Sequence, residues 1–461
     1  MTGKIITPAN APLRGKANVP GDKSISHRML IFAMLAEGTS LIRGLSNGDD
    51  VVRTRLAIGQ LGAEVSMQNG SVSVKGGISR IKEPERPLDM GNSGTGLRLM
   101  AGVLTRFDFL SVLIGDSSIH KRPMARIVKP LSQMGARIDG RNNATLAPLV
   151  IRGGNLKSID YTPPVPSAQV KSSILLAAMG ADGESRVFEK IATRRHTEEL
   201  CETLGLPIRM ESSGESLAVS ISPCQIPPFD LEVAKDPSQA AFIAVAALLI
   251  EGSEVEIENV YLGPGRDGFI KVLQNMGANI EVNYHKDNTA DILIKHGALR
   301  GTVISGQLLA DSIDEVPILA VAGAYAIGET KFVDAGELRA KESDRLEAIK
   351  NGLEALGVDV ALDGDSLIIQ GTNGKTPKNL VGDKMVEFQS YHDHRIAMAF
   401  SVATMAATNS TSGDKGVLLG GASVDKQDGV SNVTVKAAID DFDAVDTSWP
   451  GFLDDITRLQ S

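Results

Sequence analysis

Five copies of one short motif, spread along the chain, decide the fold. They are Leu61-Gly62-Ala63-Glu64-Val65, Met134-Gly135-Ala136-Arg137-Ile138, Leu204-Gly205-Leu206-Pro207-Ile208, Met276-Gly277-Ala278-Asn279-Ile280 and Leu356-Gly357-Val358-Asp359-Val360. Each follows a run with helical apolar spacing. Glycine commonly ends a helix because it adopts the left-handed conformation without steric cost. The motif therefore predicts a helix, a glycine cap and a strand, and a weaker sixth copy is expected at Phe442-Asp443-Ala444-Val445.

A second motif precedes most of these copies. In it a predicted helix ends near a glycine and a short strand follows, at residues 36–40, 181–185, 251–255 and 327–331. The first motif recurs about every 70 to 80 residues, an interval too long for the unit of a solenoid. The sequence therefore predicts an α/β protein of six compact modules, each with two helices and several strands.

Length and composition indicate a globular protein of two domains. The chain has 461 residues, whereas single cores usually stop growing at about 250 to 300 residues. We expect the domain boundary around residues 231–237, just after the turn-rich stretch at residues 223–228. No apolar run approaches the roughly 20 residues needed to span a membrane, and the N-terminus lacks the apolar core of a signal peptide. The expected location is the cytoplasm.

The charge pattern favours a small anionic ligand. A net charge of -9 argues against nucleic acid or an anionic membrane as partner, since both require a basic face. However, residues 23–28, 120–126 and 194–196 hold Lys and Arg without compensating acid. The two cysteines, Cys201 and Cys224, form neither a disulfide framework nor a zinc-binding cluster.

Three polar turns stand ahead of predicted helices and are candidate anion sites. At residues 20–28 a Pro-Gly turn, a serine cap at Ser24 or Ser26 and nearby cations suit a phosphate or carboxylate at a helix N-terminus. At residues 91–98 three glycines allow close approach of backbone amides to a ligand. Residues 166–172 offer serine and glutamine donors. For each turn the alternative is an ordinary loop or helix cap.

The C-terminal half holds the densest cluster of charged residues, at 312–317, 337–345 and 391–395. On a helix Lys341 and Arg345 would share a face and Glu342 would face elsewhere. The alternative is a solvated helix face with mutual salt bridges. His392 and His394 make a poor metal site because the adjacent Arg395 repels a cation, so no metal is expected.

Taken together these motifs resemble the enolpyruvyl transferase family and, within it, the EPSP synthases. The matching stretches are P-G-D-K-S-I-S-H-R, G-N-S-G-T-G-L-R, K-R-P-M, P-S-A-Q-V-K-S, I-D-E-V-P, R-A-K-E-S-D-R and D-H-R-I-A-M, in the family's order over nearly the whole chain. The resemblance implies an inside-out α/β barrel fold: two similar domains, each of three βαβαββ modules around a pseudo-threefold axis. The active site then lies in the cleft between domains 22–234 and 1–21 plus 235–461.

The resemblance also implies the reaction and its residues. The enolpyruvyl group of phosphoenolpyruvate passes to the 5-hydroxyl of shikimate 3-phosphate by addition and elimination of phosphate, in a monomer without cofactor. Residues implied for shikimate 3-phosphate are Lys23, Ser24, Arg28, Ser167, Gln169, Asp314 and Lys341. Those implied for phosphoenolpyruvate are Lys23, Gly94, Arg122, Gln169, Arg345 and Arg395. Asp314 is the implied base towards the 5-hydroxyl, and Lys23 and Glu342 are candidates for handling the methylene proton.

The chain departs from the family pattern at two places. Lys235-Asp236 stands where members commonly have Gly-Asp, and Thr447 stands where some members supply a lysine to phosphoenolpyruvate. The resemblance also implies that the inhibitor glyphosate occupies the phosphoenolpyruvate pocket. Gly94 leaves that pocket open to it, whereas residues 194–198 resemble a less sensitive class, so the two signals disagree about native sensitivity.

Two other functions fit parts of the pattern. One is that of the sister transferase acting on UDP-N-acetylglucosamine, which carries a reactive cysteine in the loop near Arg122 that this chain lacks. The other is a non-catalytic binding protein of the same fold. The presence of Arg122, Asp314, Glu342 and Arg395 argues against the second.

Overall fold

A computed structural model of the chain describes residues 3–68, 70–213, 216–381, 385–407 and 436–460. The β-strands are, in chain order, β1 (Lys4–Ile6), β2 (Arg14–Lys16), β3 (Gly38–Arg43), β4 (Glu64–Gln68), β5 (Ser71–Gly76), β6 (Leu88–Asp89), β7 (Leu110–Ile114), β8 (Arg137–Gly140), β9 (Leu146–Arg152), β10 (Asp160–Tyr161), β11 (Ser185–Glu189), β12 (Ile208–Ser213), β13 (Ser216–Ile221), β14 (Asp230–Glu232), β15 (Glu254–Tyr261), β16 (Asn279–Tyr284), β17 (Thr289–Lys295), β18 (Val303–Ile304), β19 (Glu329–Phe332), β20 (Asp359–Asp363), β21 (Ser366–Gln370), β22 (Val386–Phe388) and β23 (Ala437–Ile439).

The α-helices are α1 (Lys23–Leu35), α2 (Asp49–Gln60), α3 (Gly94–Leu104), α4 (Ala125–Gln133), α5 (Arg141–Ala144), α6 (Ala168–Ala178), α7 (His196–Thr203), α8 (Pro237–Leu249), α9 (Gly268–Asn275), α10 (Gly306–Asp311), α11 (Val316–Tyr325), α12 (Arg345–Leu356), α13 (His394–Met405) and α14 (Phe452–Arg458). Short 3-10 helices occur at Ile78–Arg80, Ile119–Lys121, Gly336–Ala340, Lys378–Leu380 and Phe442–Thr447.

One sheet topology recurs through the described residues. Five sheets have four strands, and a sixth, ordered β1-β23-β22, has three. In the sheet ordered β6-β7-β9-β8, the first two strands are parallel and the remaining pairs are antiparallel. Along the chain this sheet and its helices follow the order β6, α3, β7, α4, β8, β9, and the sheet ordered β10-β11-β13-β12 repeats it. The predicted βαβαββ module is therefore confirmed.

The glycine caps lie where the motif predicts them. Each glycine of the five copies closes α2, α4, α7, α9 or α12 and is followed by β4, β8, β12, β16 or β20. All five have φ between 67° and 108°, the left-handed range that favours glycine. The recurring motif is therefore the helix-to-strand turn of each of five modules.

The expected sixth copy is wrong. Residues 442–447 form a 3-10 helix, and no glycine cap or strand follows it in residues 442–460. The left-handed position ahead of this helix is occupied by Asp441, with φ 39°. The sixth sheet instead receives its third strand, β1, from the N-terminal residues, where Lys4 pairs with Ile439.

Two sheets take their first strand from a distant part of the chain. β14 pairs in parallel with β3, and β2 pairs in parallel with β15. The segments that lead into α1 and α8 therefore run side by side. The Asp22 backbone N–H donates to the Ala234 carbonyl at 2.7 Å, and the Asp236 N–H donates to the Pro20 carbonyl at 2.9 Å.

The buried apolar side chains form two separate cores. One spans residues 29–233, and the other joins Ile6, Leu13 and Val19 to residues 240–459. In the second core α8, α11 and α13 pack against one another, and every residue of α11 is buried. A helix that is apolar on all sides belongs inside a core. We call the parts around these cores the N-terminal and C-terminal halves.

The glycine caps can be tested by substitution. Gly277 has φ +80°, and no atom lies within 4 Å of the point that a β-carbon would occupy, so Gly277→Ala introduces backbone strain without a clash. We expect the free energy of unfolding to fall by about 1 kcal/mol, measured by urea denaturation. Gly59, inside α2 and equally unobstructed, is the matched control. Gly59→Ala should raise that free energy by about 0.5 kcal/mol. Two substitutions with the same sign would contradict this view of the caps.

Candidate active site

A cavity of about 590 Å³ lies between the two halves. It is lined by all the predicted site residues except Arg345: Lys23, Ser24, Arg28, Gly94, Arg122, Ser167, Gln169, Asp314, Lys341, Glu342 and Arg395. Further charged lining residues are Asp50, Arg98, Arg126, Arg194, Arg195, Asp236, Arg266, Asp311 and Glu337. The three polar turns and the charged C-terminal cluster therefore meet in one place.

Six largely buried helices begin at this cavity. They are α1, α3 and α6 from the N-terminal half and α8, α11 and α13 from the C-terminal half, and the lining includes Lys23, Gly94, Ala168, Ser238, Asp314 and Arg395 at or just before their first turns. A helix N-terminus carries unpaired backbone N–H groups and the positive end of the helix dipole. The cavity is therefore built to attract anions before any side chain is considered.

The helix caps differ in part from the sequence prediction. The side chain of Asp22 caps α1, accepting from the Ile25 N–H at 2.8 Å. Ser24 lies inside the first turn, and the Ser26 hydroxyl accepts from the Ser46 N–H at 3.1 Å. The prediction that Ser24 or Ser26 caps this helix is wrong, because the helix begins at Lys23, one residue before Ser24. Ser167, in contrast, does cap α6.

Arg122 is held at the cavity wall by four oxygen atoms. Its guanidinium donates to the Asn92 carbonyl at 3.3 Å, the Asn92 side chain at 2.7 Å and the Ser118 hydroxyl at 3.1 Å. A carboxylate oxygen of Glu342, from the other half, lies 3.6 Å away. These contacts fix the plane of the guanidinium, which suits paired hydrogen bonds to a carboxylate or phosphate.

Gly94 lies directly against two guanidinium groups. A β-carbon at this position would lie 3.0 Å from Nη1 of Arg122 and 3.1 Å from Nη1 of Arg98. Arg98 also donates to the Gln169 side-chain oxygen at 2.5 Å, and the Gln169 amide donates to the Thr95 hydroxyl at 2.9 Å. The missing side chain at Gly94 therefore leaves the space that these cations border.

Arg98 also lines the cavity and was not predicted from the sequence as a site residue. Burial, with smaller contributions from Arg122 and Arg126, lowers the pKa of Arg98 to about 10. The residue stands four positions after Gly94 on α3, so it lies on the same helix face. That spacing could have identified it, since a glycine at a helix start and a cation one turn later together suit an anion.

Arg28 is anchored entirely within the N-terminal half. Its Nε donates to the Thr197 hydroxyl and its Nη2 to the Ser172 hydroxyl, both at 2.8 Å, and Nη1 donates to the Ser24 carbonyl at 2.9 Å. Burial lowers the pKa of Arg28 to about 10. Lys23, one turn earlier, pairs with Asp50 at 3.0 Å.

Asp314 is surrounded by cations from both halves. Its carboxylate lies 2.8 Å from Arg194, 3.3 Å from Lys341 and 3.8 Å from Arg345, and Arg395 donates to its backbone carbonyl at 2.8 Å. Burial opposes ionisation, but these cations, with Lys341 the strongest, hold the pKa of Asp314 well below its usual range. The group is therefore a carboxylate at neutral pH.

Glu342 also links the two halves. It pairs with Arg345 at 2.6 Å and with Arg122 at 3.6 Å. Burial again opposes ionisation, while Arg345 and then Arg122 hold the pKa of Glu342 well below its usual range. The expectation that Glu342 faces away from Lys341 and Arg345 is wrong, because Glu342 pairs with Arg345.

Lys341 and Arg345 do not share a helix face as predicted. Lys341 follows the 3-10 helix Gly336–Ala340, and α12 begins only at Arg345. The two cations converge on Asp314 nevertheless. Arg345 is 1% exposed, and Asp393 accepts hydrogen bonds from its Nε at 2.8 Å and its Nη2 at 3.2 Å.

Arg266 is a second site residue that was not predicted from the sequence. It joins the two crossovers, the segments leading into α1 and α8 at which the chain passes between the halves. Its Nη2 lies 3.0 Å from Asp22 and 3.0 Å from Asp236, the residues that cap α1 and α8. Burial opposes ionisation, yet Asp22 and Asp236 raise the pKa of Arg266. Asp236 also accepts from the Lys23 N–H at 3.1 Å. No local pattern around Arg266 indicates this role, because all its partners are distant in sequence.

The two departures from the family pattern have different outcomes. Asp236 lines the cavity and pairs with Arg266 at the crossovers. Thr447 is not among the residues that line it; instead its carbonyl oxygen lies 2.7 Å from the point where a β-carbon on Gly48 would stand. Thr447 therefore packs its backbone against the N-terminal half.

Two further observations concern membranes and metals. Among the described residues, none of the helices is long and apolar enough to cross a membrane. Within the same ranges, no group of three or more His, Cys, Asp or Glu side chains is placed to hold a metal ion. Asp393 of the histidine-containing stretch caps α13 and binds Arg345.

Comparison with known proteins gives a consistent answer. The family model for EPSP synthase (3-phosphoshikimate 1-carboxyvinyltransferase) matches residues 8–456. The chain is 41% identical to the 3-phosphoshikimate 1-carboxyvinyltransferase of Desulforudis audaxviator, over 99% of each chain. It is 42% identical to that of Paramagnetospirillum magneticum, over 96% of this chain and 94% of the relative.

Solved structures agree. The EPSP synthase from Acinetobacter baumannii is 36% identical with a TM-score of 0.81, over 99% of this chain and 98% of that one. The enolpyruvyl transferase NikO from Streptomyces tendae has a TM-score of 0.73 at 15% identity, over 99% and 98% of the two chains. At 15% identity the similarity to NikO shows only a shared fold.

The fold and the cavity define an enolpyruvyl transferase, a two-part α/β enzyme that brings small polyanions together. The chain belongs to the EPSP synthase (3-phosphoshikimate 1-carboxyvinyltransferase) family. It transfers the enolpyruvyl group of phosphoenolpyruvate to shikimate 3-phosphate in the shikimate pathway of aromatic amino-acid biosynthesis. The UDP-N-acetylglucosamine transferase and the non-catalytic binding protein are therefore set aside.

The buried histidine at the start of α13 predicts a pH dependence of stability. Burial, then Lys23 and Arg395, lower the pKa of His394 well below its usual range. The unfolded chain binds this proton near pH 6.5 and the folded chain does not, so the folded state loses stability as pH falls below about 6.5. The loss is about 1.4 kcal/mol per pH unit for one proton.

Substitution isolates this contribution. In His394→Gln the slope of unfolding free energy between pH 6.5 and 5.5, from urea denaturation, should be shallower by about 1 kcal/mol per pH unit, because the unfolded histidine is only partly protonated in this range. His392→Gln, which replaces an exposed histidine, is the control. An unchanged slope in the first variant would mean that His394 is protonated in the folded protein.

Proposed function

We propose that the two substrates lie side by side in the cavity, each held by cations from both halves. Shikimate 3-phosphate contacts Lys23, Ser24, Arg28, Ser167, Gln169, Asp314 and Lys341, and phosphoenolpyruvate contacts Lys23, Gly94, Arg122, Gln169, Arg345 and Arg395. Of these, Arg345 does not line the cavity and has to exchange its pairing with Glu342 for one with the substrate. One observation carries the proposal: Asp314 and Glu342 enter a single cavity, and each is paired with an arginine of the opposite half. Acid-base groups and anion-binding groups therefore meet at one point.

The cations serve to bring like charges together. Each substrate carries a phosphate and a carboxylate, so four anionic groups must approach within one cavity. Arginine grips such groups through paired hydrogen bonds and stays ionised when buried. Six helix N-termini add positive potential that does not depend on side-chain position. The protein therefore offsets the repulsion between the two polyanions before the reaction starts.

Asp314 is proposed as the base that accepts the proton of the 5-hydroxyl. A carboxylate paired with Arg194 and Lys341 is a weak base. An anionic substrate that binds Lys341 offsets the field of this cation at Asp314, and the pKa of the carboxylate then rises. The base becomes stronger only when shikimate 3-phosphate is present, which ties proton removal to substrate binding.

Glu342 and Lys23 are proposed to handle the methylene proton. Addition of the 5-hydroxyl oxygen to C2 of phosphoenolpyruvate requires a proton at C3, and loss of phosphate from the tetrahedral intermediate removes one again. Glu342 lies against Arg122 and Arg345, and Lys23 pairs with Asp50. Under this proposal the two groups that handle the proton come from opposite halves.

The remaining assignments follow from the same features. We propose domains at 22–234 and at 1–21 plus 235–461, supported by the two separate cores. We propose a monomer, because one chain supplies both walls of the cavity. A cytoplasmic location is supported by Cys201 and Cys224, which are free thiols. We propose glyphosate as an inhibitor that occupies the phosphoenolpyruvate pocket beside Gly94.

The role of Asp314 can be tested by an isosteric substitution. Asp314→Asn keeps the shape of the side chain but cannot accept the proton, so kcat should fall about 100-fold or more. The KM for shikimate 3-phosphate should change only a few-fold, in a phosphate-release assay. Asp311→Asn removes the same charge from the same cavity and serves as control. A near-normal rate in Asp314→Asn would remove this residue from the base role.

The pocket at Gly94 predicts discrimination between inhibitor and substrate. Gly94→Ala places a methyl group 3.0 Å from Arg122 and 3.1 Å from Arg98, so both guanidiniums must yield. The longer glyphosate should suffer more than phosphoenolpyruvate, so its inhibition constant should rise by a larger factor than the KM for phosphoenolpyruvate. Gly59→Ala, in open space on α2, is the control. Equal factors would show that Gly94 does not face the inhibitor.

A further inference from the structure

A buried histidine joins α1 to the loop that carries Gly94. His27 is fully buried and lies one turn after Lys23 on α1. Its Nδ1 is 2.8 Å from the Thr54 hydroxyl on α2, and its Nε2 is 3.2 Å from the Ser93 hydroxyl. His27 does not line the cavity, so its influence on the reaction must pass through these two partners.

The hydrogen-bond directions follow from Ser93. The Ser93 oxygen already accepts from the Gly96 N–H at 2.9 Å, which caps α3. Its hydroxyl proton can donate to Nε2 of His27, and we assign the bonds in this way, with Nδ1–H donating to Thr54. Burial, then Lys23 and Arg28, lower the pKa of His27 well below its usual range, in keeping with this neutral ring.

The residues next to Ser93 carry the phosphoenolpyruvate pocket proposed above. Asn92 holds Arg122 through both its carbonyl and its side chain. Gly94 borders the guanidinium of Arg122, and Thr95 holds Gln169. The Ser93–His27 hydrogen bond therefore joins the middle of this loop to the helix that starts with Lys23.

Packing leaves the loop little freedom around this bond. A β-carbon on Gly96 would lie 2.8 Å from the Ser93 hydroxyl and 2.9 Å from the Thr54 hydroxyl. Only a glycine fits at this point, so α1, α2 and α3 approach closely around the imidazole. A small change in the ring would be passed on to Arg122 rather than absorbed by a gap.

We propose that His27 is a positioning residue for phosphoenolpyruvate, acting through Ser93 to set the position of Gly94 and Arg122 relative to Lys23. The inference rests on the proposed pocket. Arg28, on the same helix, is bonded to Ser24, Ser172 and Thr197, and none of these three hydrogen bonds involves Ser93. Loss of the Ser93 bond should thus affect phosphoenolpyruvate selectively.

Two substitutions of His27 by amide side chains test its hydrogen bonds to Thr54 and Ser93 separately. His27→Asn places an amide near the position of Nδ1, so it can keep the Thr54 contact and loses the Ser93 contact. His27→Gln reaches the position of Nε2, so it can keep Ser93 and loses Thr54. We expect His27→Asn to raise the KM for phosphoenolpyruvate by about five- to tenfold, the effect of one lost hydrogen bond. The KM for shikimate 3-phosphate should stay within about twofold, and His27→Gln should resemble the unmodified enzyme.

Controls distinguish positioning from general damage. Thr54→Val removes the other partner and should leave the KM for phosphoenolpyruvate unchanged. Equal effects of His27→Asn and His27→Gln, or a parallel rise in both KM values, would overturn the inference. Should His27→Asn fail to fold, Ser93→Ala replaces it, and an unchanged KM for phosphoenolpyruvate there overturns the inference equally.

Arg122→Ala separates this inference from the proposed pocket. If that variant raises the KM for phosphoenolpyruvate and His27→Asn does not, only the role of His27 fails. If Arg122→Ala leaves this KM unchanged, the pocket assignment itself is wrong, and the inference about His27 falls with it.

Discussion

The convergence of six helix N-termini on one cavity is the constraint on which the rest of the structure depends. An isolated helix end attracts an anion weakly, but six of them around a partly buried space add their potentials where water screens them least. To aim three helices from each half at one point, the three modules of a half must be arranged symmetrically. The repeated glycine caps serve that arrangement, since each turns the chain from an outer helix into a strand at the same place in its module.

The same concentration of positive charge has to be stable within the protein itself. Carboxylates neutralise these cations, and they form two separate sets. Asp22, Asp236 and Arg266 form a structural set at the crossovers, where a single guanidinium joins the caps of α1 and α8. Asp314 and Glu342 form a second set that spans the cavity. The groups proposed to move protons are thus also counter-ions, and their basicity depends on what else the cations bind.

Sequence reasoning predicts what depends on local geometry and fails where partners are far apart along the chain. The helix-glycine-strand motif predicts a local backbone conformation, the left-handed glycine cap. For that reason it locates five modules correctly. It misplaces the sixth because that sheet borrows β1 from the other end of the chain. The spacing of Lys341 and Arg345 allows one helix to carry both, whereas α12 starts at Arg345 under the cap of Asp344. Arg266 could not be found, because Asp22 and Asp236 come near it only after both crossovers have formed.

The pairing of β1 and β2 with strands of the C-terminal half has a consequence for synthesis on the ribosome. Residues 4–16 are made first, but their partners β15 and β23 emerge only after residues 254–261 and 437–439 have been translated. The N-terminal half, in contrast, waits only for β14, near residue 232, before its last sheet closes. The leading segment must therefore stay unpaired while an entire neighbouring core forms. An exposed β-strand can pair with other chains, so this long interval is a period of risk for the nascent protein. Both strands are only three residues long and four of their six residues are charged or glycine, which limits the template they offer during that wait.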